Sequence, residues 1–132
     1  IPDGRLDFFI GDVRDAARVR MAFEADVNVV IHCAALKQVP ACEYNPFEAV
    51  KTNIIGSSNV ISAAIDDGVP KVLAISTDKA VRPTNIMGAT KRLAEMVLQA
   101  LAEVNAAVAA QGGRAPIAKT TFSMVRLGKV VG

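Results

Sequence analysis

The sequence predicts an α/β protein, a partial open parallel sheet of the doubly wound kind with about four strands and helices on both faces. Three observations lead there. Short β-branched or apolar runs alternate with longer stretches at helical spacing, the order that βαβ units leave in a sequence. The run at 71–76 is apolar through its centre, as a strand covered on both faces requires. Each run gives way to small or polar residues, which is where an open parallel sheet binds its ligands. With 132 residues, 52% of them hydrophobic, and neither an internal repeat nor a linker, the chain reads as a single domain, 1–132.

Leu6–Ile10 is the first predicted strand, closed by Gly11-Asp12. Asp15 is placed to cap a helix in which Val19, Ala22 and Phe23 recur at helical spacing to about Glu24. Val27–His32 is the second strand, and residues 33–45 a loop containing Pro40. Asn45-Pro46 starts a helix, with proline at the first position where its missing N–H costs nothing; Gly68 and Pro70 end that helix near Asp67. Lys71–Ser76 is the third strand and 77–85 a loop. The alanine- and leucine-rich stretch 86–110 is a long helix broken by Gly112-Gly113, and Thr120–Leu127 is the fourth strand.

Fifteen basic against thirteen acidic residues leave +2, too even a balance for a nucleic-acid footprint or an acidic tail. Cys33 and Cys42 lack CxxC spacing and read as reduced structural thiols, so no metal site is expected. His32, alone at the end of an apolar run, reads as a packed histidine without a role. No run reaches the ~18 apolar residues of a spanning helix, and the first residues show no leader. The expected location is cytoplasmic, with any inner-membrane anchor outside this chain.

Four clusters follow the strands: Gly11-Asp12-Val13-Arg14-Asp15, Ala34-Ala35-Leu36-Lys37, Ser76-Thr77-Asp78-Lys79 and Gly128-Lys129. Singly, each is compatible with an ordinary turn, tight packing or a solvated lysine. The third stands out because a hydroxyl, a carboxylate and an ammonium occupy consecutive residues at a strand end, a set that serves acid/base chemistry. Lys91 follows Met87 by one helical turn, so both side chains share one face of the next helix.

The segments GDVRD (11–15), AALKQVPACEYNPFEAVKTNIIGS (34–57), STDKAVRPTNIMGATKRLAE (76–95) and VRLGKVVG (125–132) resemble the CapD-like polysaccharide-biosynthesis nucleotide-sugar dehydratases. These are extended members of the short-chain dehydrogenase/reductase superfamily, and the resemblance covers nearly the whole chain. It implies a Rossmann domain and a UDP-N-acetylglucosamine 4,6-dehydratase, a lyase in which bound NAD, or NADP, takes hydride from carbon 4, water leaves across carbons 5 and 6, and the hydride returns to carbon 6. It further implies that Asp12 and Val13 hold the adenine, Ala34, Ala35, Lys37 and Ser76 line the cofactor channel, and Asn53 fixes that loop. By the same resemblance Asp78 is the acid for the departing hydroxyl and Lys79 the base at carbon 5. Thr77 bonds the carbon-4 oxygen, and Lys91 bonds the nicotinamide ribose. Acid and base would each require a large shift in proton affinity.

The chain departs from the family pattern in three ways. Met87 stands at the superfamily's tyrosine position and has no proton to exchange, although a Met-containing subgroup resembles this sequence closely; it is also a plausible core filler. Lys129 replaces the asparagine of a G-N-V segment. No glycine-rich turn is present to receive a pyrophosphate, so the chain is expected to be a fragment lacking the first βαβ unit and inactive alone. The Leu6–Ile10 strand would then pair with Val27–His32, pair with another copy, or lie loosely at the edge. A homo-oligomer through helices 46–67 and 86–110 is expected. Two alternatives stay open: a nucleotide-sugar epimerase of the same family, and a catalytically dead Rossmann-like scaffold.

Overall fold

The computed structural model describes residues 4–111 and 120–128, so the Gly112-Gly113 break and Lys129 lie outside the described residues. In chain order it contains α1 (Ala16–Phe23), β1 (Val29–His32), α2 (Val39–Tyr44), α3 (Pro46–Val50), a π-helical segment (Lys51–Gly56) and α4 (Ser57–Asp66). These are followed by β2 (Lys71–Thr77), a 3₁₀ turn (Asp78–Ala80), α5 (Ile86–Ala110) and β3 (Thr121–Leu127).

The strands form one parallel sheet in the order β1-β2-β3, with Val30 opposite Val72 and Ser76 opposite Arg126. The local chemistry read from the sequence is in place at the helix ends. Asp15 accepts from the Arg18 N–H at 3.1 Å, and Pro46 opens α3. Gly68 ends α4 with φ +65°, a left-handed conformation that glycine adopts without a Cβ penalty; its N–H reaches Ile65 O and the Val69 N–H reaches Ala64 O.

Three details differ from expectation. Leu6–Ile10 forms no strand among the described residues, so three strands stand where about four were predicted. Its backbone has no neighbouring strand, and the segment lies at the edge with Leu6, Phe8, Phe9 and Ile10 exposed. Arg18 holds it there, donating from Nε to Ile10 O at 2.8 Å and placing its guanidinium over the Phe9 ring.

Secondly, among the described residues the helices cover one face of the sheet and not both. Val30 and Val72 pack into a core with Val19 of α1 and Val60, Ala63 and Ala64 of α4, whereas Val29, Ile31, Val125 and Leu127 on the opposite face are exposed. Successive right-handed crossovers that step in one direction place their helices on one side; coverage of the other side needs a reversal of that direction.

Thirdly, the loop predicted at 33–45 contains α2, and the helix at 46–67 is interrupted by the π segment. α2 is short, and Pro40 occupies its first turn, so it carries little periodicity of its own. Among the described residues no helix is long and apolar enough to cross a membrane.

A candidate active site at the carboxyl ends of the strands

Beyond the ends of β2 and β3 lies a cavity of about 160 Å³ lined by Lys37, Thr77, Lys79, Met87, Lys91 and Gly128, with Ile75, Ser76 and Leu127 forming its floor. Residues distant in sequence meet here because the strands are parallel and in register, Thr77 facing Leu127. The position is the one that open parallel sheets use for ligands.

The Thr77-Asp78-Lys79 turn is built locally. Thr77 Oγ1 accepts from the Lys79 N–H at 3.3 Å and donates to Asp78 Oδ1 at 3.2 Å, closing the 3₁₀ turn. Asp78 and Lys79 are exposed; Lys79 lines the cavity, and Asp78 lies beside it, its Oδ2 4.0 Å from where a Cβ on the lining residue Gly128 would stand. The turn lies directly against the start of α5, where a Cβ on Gly88 would stand 2.5 Å from Lys79 O. Only glycine permits that approach. Two side chains satisfy the first N–H groups of α5: Glu43 accepts from Ile86 N at 2.7 Å and Asn85 from Gly88 N at 2.8 Å.

Lys91 is buried, with Nζ donating to Ile75 O at 3.0 Å. Burial and then the Lys37 ammonium push its pKa down from the usual lysine range, and Glu95 and Cys33 oppose them in part. Met87 is 3% exposed and packs with Cys42 and Ala49, so its role as a core filler is real, and it lines the cavity as well. Lys37 is exposed and reaches the same cavity.

Asn53, in the π segment, is 1% exposed and ties three pieces together. It accepts from Leu36 N at 2.8 Å and donates to Leu36 O at 3.1 Å and to Thr90 Oγ1 at 2.9 Å. The loop Ala34-Ala35-Leu36 is thereby fixed to α5. π segments recur at functional sites because they turn a side chain out of the α-helical register. His32 lies beneath, hydrogen-bonded to Ser57 Oγ at 2.9 Å.

Asp12 and Val13 stand apart, in a second cleft with Phe9, Ile10 and Arg18. Arg14 grips the Asp12 carboxylate, donating from Nε at 3.1 Å and Nη2 at 2.9 Å, and holds its pKa below the usual carboxylate range. Ser76 lines the first cavity, and its buried hydroxyl donates to Glu95 at 2.5 Å. Glu95 and Arg126 escaped the sequence reading. The one available signal was the spacing of Lys91 and Glu95, one helical turn apart; the partner on β3 depends on strand register. Both cysteines are free, and no set of three metal-ligating side chains occurs among the described residues.

A parallel sheet with a cavity beyond its strand ends, lined by the turn after its second strand and by a buried lysine on the following helix, is the arrangement of a Rossmann-type domain of the short-chain dehydrogenase/reductase kind. The chain belongs to the polysaccharide biosynthesis protein family, whose model matches residues 2–132. It is 46% identical over 127 residues to UDP-N-acetylglucosamine 4,6-dehydratase (inverting) of Campylobacter jejuni, covering 96% of this chain and 35% of that one. It is 51% identical over 100 residues to UDP-glucose 4-epimerase of Rickettsia rickettsii, covering 76% and 29%. Among solved structures, Pen from Bacillus thuringiensis superposes with a TM-score of 0.77 at 45% identity, covering 92% of this chain and 34% of that one. The chain spans about a third of the length of the curated relatives it matches.

Proposed function

We propose that the protein in which this chain lies is a nucleotide-sugar 4,6-dehydratase acting on UDP-N-acetylglucosamine, a lyase of polysaccharide biosynthesis, and that this chain carries its acid-base residues. The observation that supports the reading most strongly is the convergence of Thr77, Lys79, Met87, Lys91 and Lys37 on one cavity. A nicotinamide dinucleotide fits the donors present. Lys91 directs a buried ammonium at the strand end, Lys37 and Lys79 add positive charge for an anionic ligand, and the loop held by Asn53 offers the small residues Ala34 and Ala35.

When bound, NAD supplies a hydride acceptor and later a donor. The chain's own residues do the rest. Thr77 orients the carbon-4 oxygen, and Lys91 holds the nicotinamide ribose. Once carbon 4 is a ketone, the carbon-5 proton is acidic; Lys79 Nζ removes it while Asp78 donates a proton to the hydroxyl leaving carbon 6. A sugar seated over Asp78 and Lys79 displaces water from the turn. Met87 exchanges no proton, so the carbon-4 hydroxyl is deprotonated by another group.

The likeness to UDP-glucose 4-epimerase supports a second reading, an epimerase on the same frame. Adjacent acid and base on one turn favour elimination, because epimerisation at carbon 4 needs no proton removed from carbon 5. Incubating the protein with UDP-N-acetylglucosamine and NAD separates the two: the dehydratase forms a 4-keto-6-deoxy sugar, the epimerase a 4-epimer that keeps its oxygen count. Lys79→Ala is expected to reduce the dehydratase rate by at least a hundredfold, since positioned proton transfer contributes roughly 10²–10⁴-fold.

A further inference from the structure

Glu95 is 3% exposed, and burial alone would raise its carboxyl pKa. Hydrogen bonds from Arg126 and Ser76 and the Arg126 charge outweigh that, holding the group ionised below the ordinary glutamate range. Arg126 approaches as a fork, Nε to Oε2 at 3.1 Å and Nη2 to Oε1 at 2.7 Å; Ser76 Oγ donates to Oε2 at 2.5 Å and Arg92 Nη1 to Oε1 at 3.2 Å. Ser76 and Arg126 are directly opposite across β2 and β3. One carboxylate on α5 therefore bolts both strand ends to the helix, one residue before Thr77 and two before Gly128.

A buried ion pair is a poor means of adding stability, because desolvation cancels most of its attraction and an apolar cluster would serve as well. What it provides is geometry. Lys91, one turn earlier on α5, holds Ile75 O while Glu95 holds the neighbouring Ser76, so adjacent residues of β2 are gripped from one helix face.

We propose that Glu95 is a positioning residue for the reaction inferred above, fixing the ends of β2 and β3 against α5 and supplying the buried countercharge to Lys91. The inference rests on that functional reading only for its kinetic consequence. The charged or titratable groups around Lys91 are His32 and Cys33 at the end of β1, Lys37 in the following loop, Lys79 after β2 and Glu95 on α5, and Glu95 is itself paired with Arg92 of α5 and Arg126 of β3. Of these, Glu95 is the buried anion, and removing its charge lets Lys91 lose its proton at lower pH.

The test uses the complete protein carrying Glu95→Gln or Glu95→Asp. Reaction of Lys91 with a small amine reagent, followed by mass spectrometry across pH, needs no turnover. Glu95→Gln should move the Lys91 titration to lower pH, whereas Glu95→Asp keeps the charge and leaves the titration near wild type. Both should lower kcat on the order of tenfold or more with KM for the UDP-sugar little changed, since small misplacements of reacting groups cost that much. An unshifted Lys91 titration in Glu95→Gln, or a wild-type kcat in either variant, overturns the proposal. If Glu95→Gln fails to fold, kcat of Glu95→Asp decides it. A wild-type protein that makes no 4-keto product refutes the functional reading instead, and the Lys91 titration still judges Glu95.

Discussion

His32 lies under the site with its ring against Ser57, and burial, reinforced by the nearby Lys91 ammonium, pushes its pKa down to about 4. The folded state therefore favours the neutral ring. Between about pH 6.5 and 4 the unfolded chain binds the proton that the folded chain refuses, so this contribution is complete above pH 6.5 and is lost as pH falls through that window, by roughly 3 kcal/mol. Urea midpoints at pH 7 and pH 4.5 should show the fall, and His32→Gln should flatten it. At Asn53 the stakes are hydrogen bonds: Asn53→Ala strands Leu36 N and O in part-buried surroundings, and a destabilisation of about 2–4 kcal/mol is expected from denaturant titration. Gly88→Ala forces a methyl against Lys79 O, and about 1–3 kcal/mol of overpacking should appear as a lower melting temperature. None of these three costs follows from residue type alone. Asn, His and Gly are common turn or surface residues, and only their neighbours make them expensive to change.

Helix α5 has the bounds that the sequence predicts, because its alanine-rich periodicity is long and uninterrupted. Its start is secured from a distance: Glu43, in an element predicted as loop, accepts the Ile86 N–H. Glu43→Ala should cost about 1 kcal/mol, the usual worth of an N-terminal side-chain acceptor, and reduce amide protection at the first turn of α5 in hydrogen exchange. The π segment illustrates the opposite case. Lys51–Gly56 is where Asn53 reaches both the Leu36 loop and Thr90, long-range contacts that no local pattern encodes.

Besides the Leu6–Ile10 edge, two groups of exposed apolar residues stand out among the described residues. One is the sheet face of Val29, Ile31, Val125 and Leu127; the other lies on the helices, where Phe47, Ile55, Leu93 and Met96 are exposed. Self-association through helices 46–67 and 86–110 is our proposal for the second, and sedimentation should show a dimer that Met96→Glu converts to monomer. A dimer that survives Met96→Glu and is lost in Ile31→Lys would place the contact on the sheet instead. The sequence by itself determined the order of α1, β1, β2, α5 and β3 and the helix ends at Asp15, Pro46 and Gly68, because periodicity and turn preference act over a few residues. Tertiary structure decided the rest. Leu6–Ile10 has strand composition but no partner strand beside it, the crossovers all step one way and leave a face bare, and Ser76, Glu95 and Arg126 meet only because β2 and β3 align in one register beneath α5. Register and crossover direction are set by contacts between distant segments, and those contacts exist only once the chain has folded.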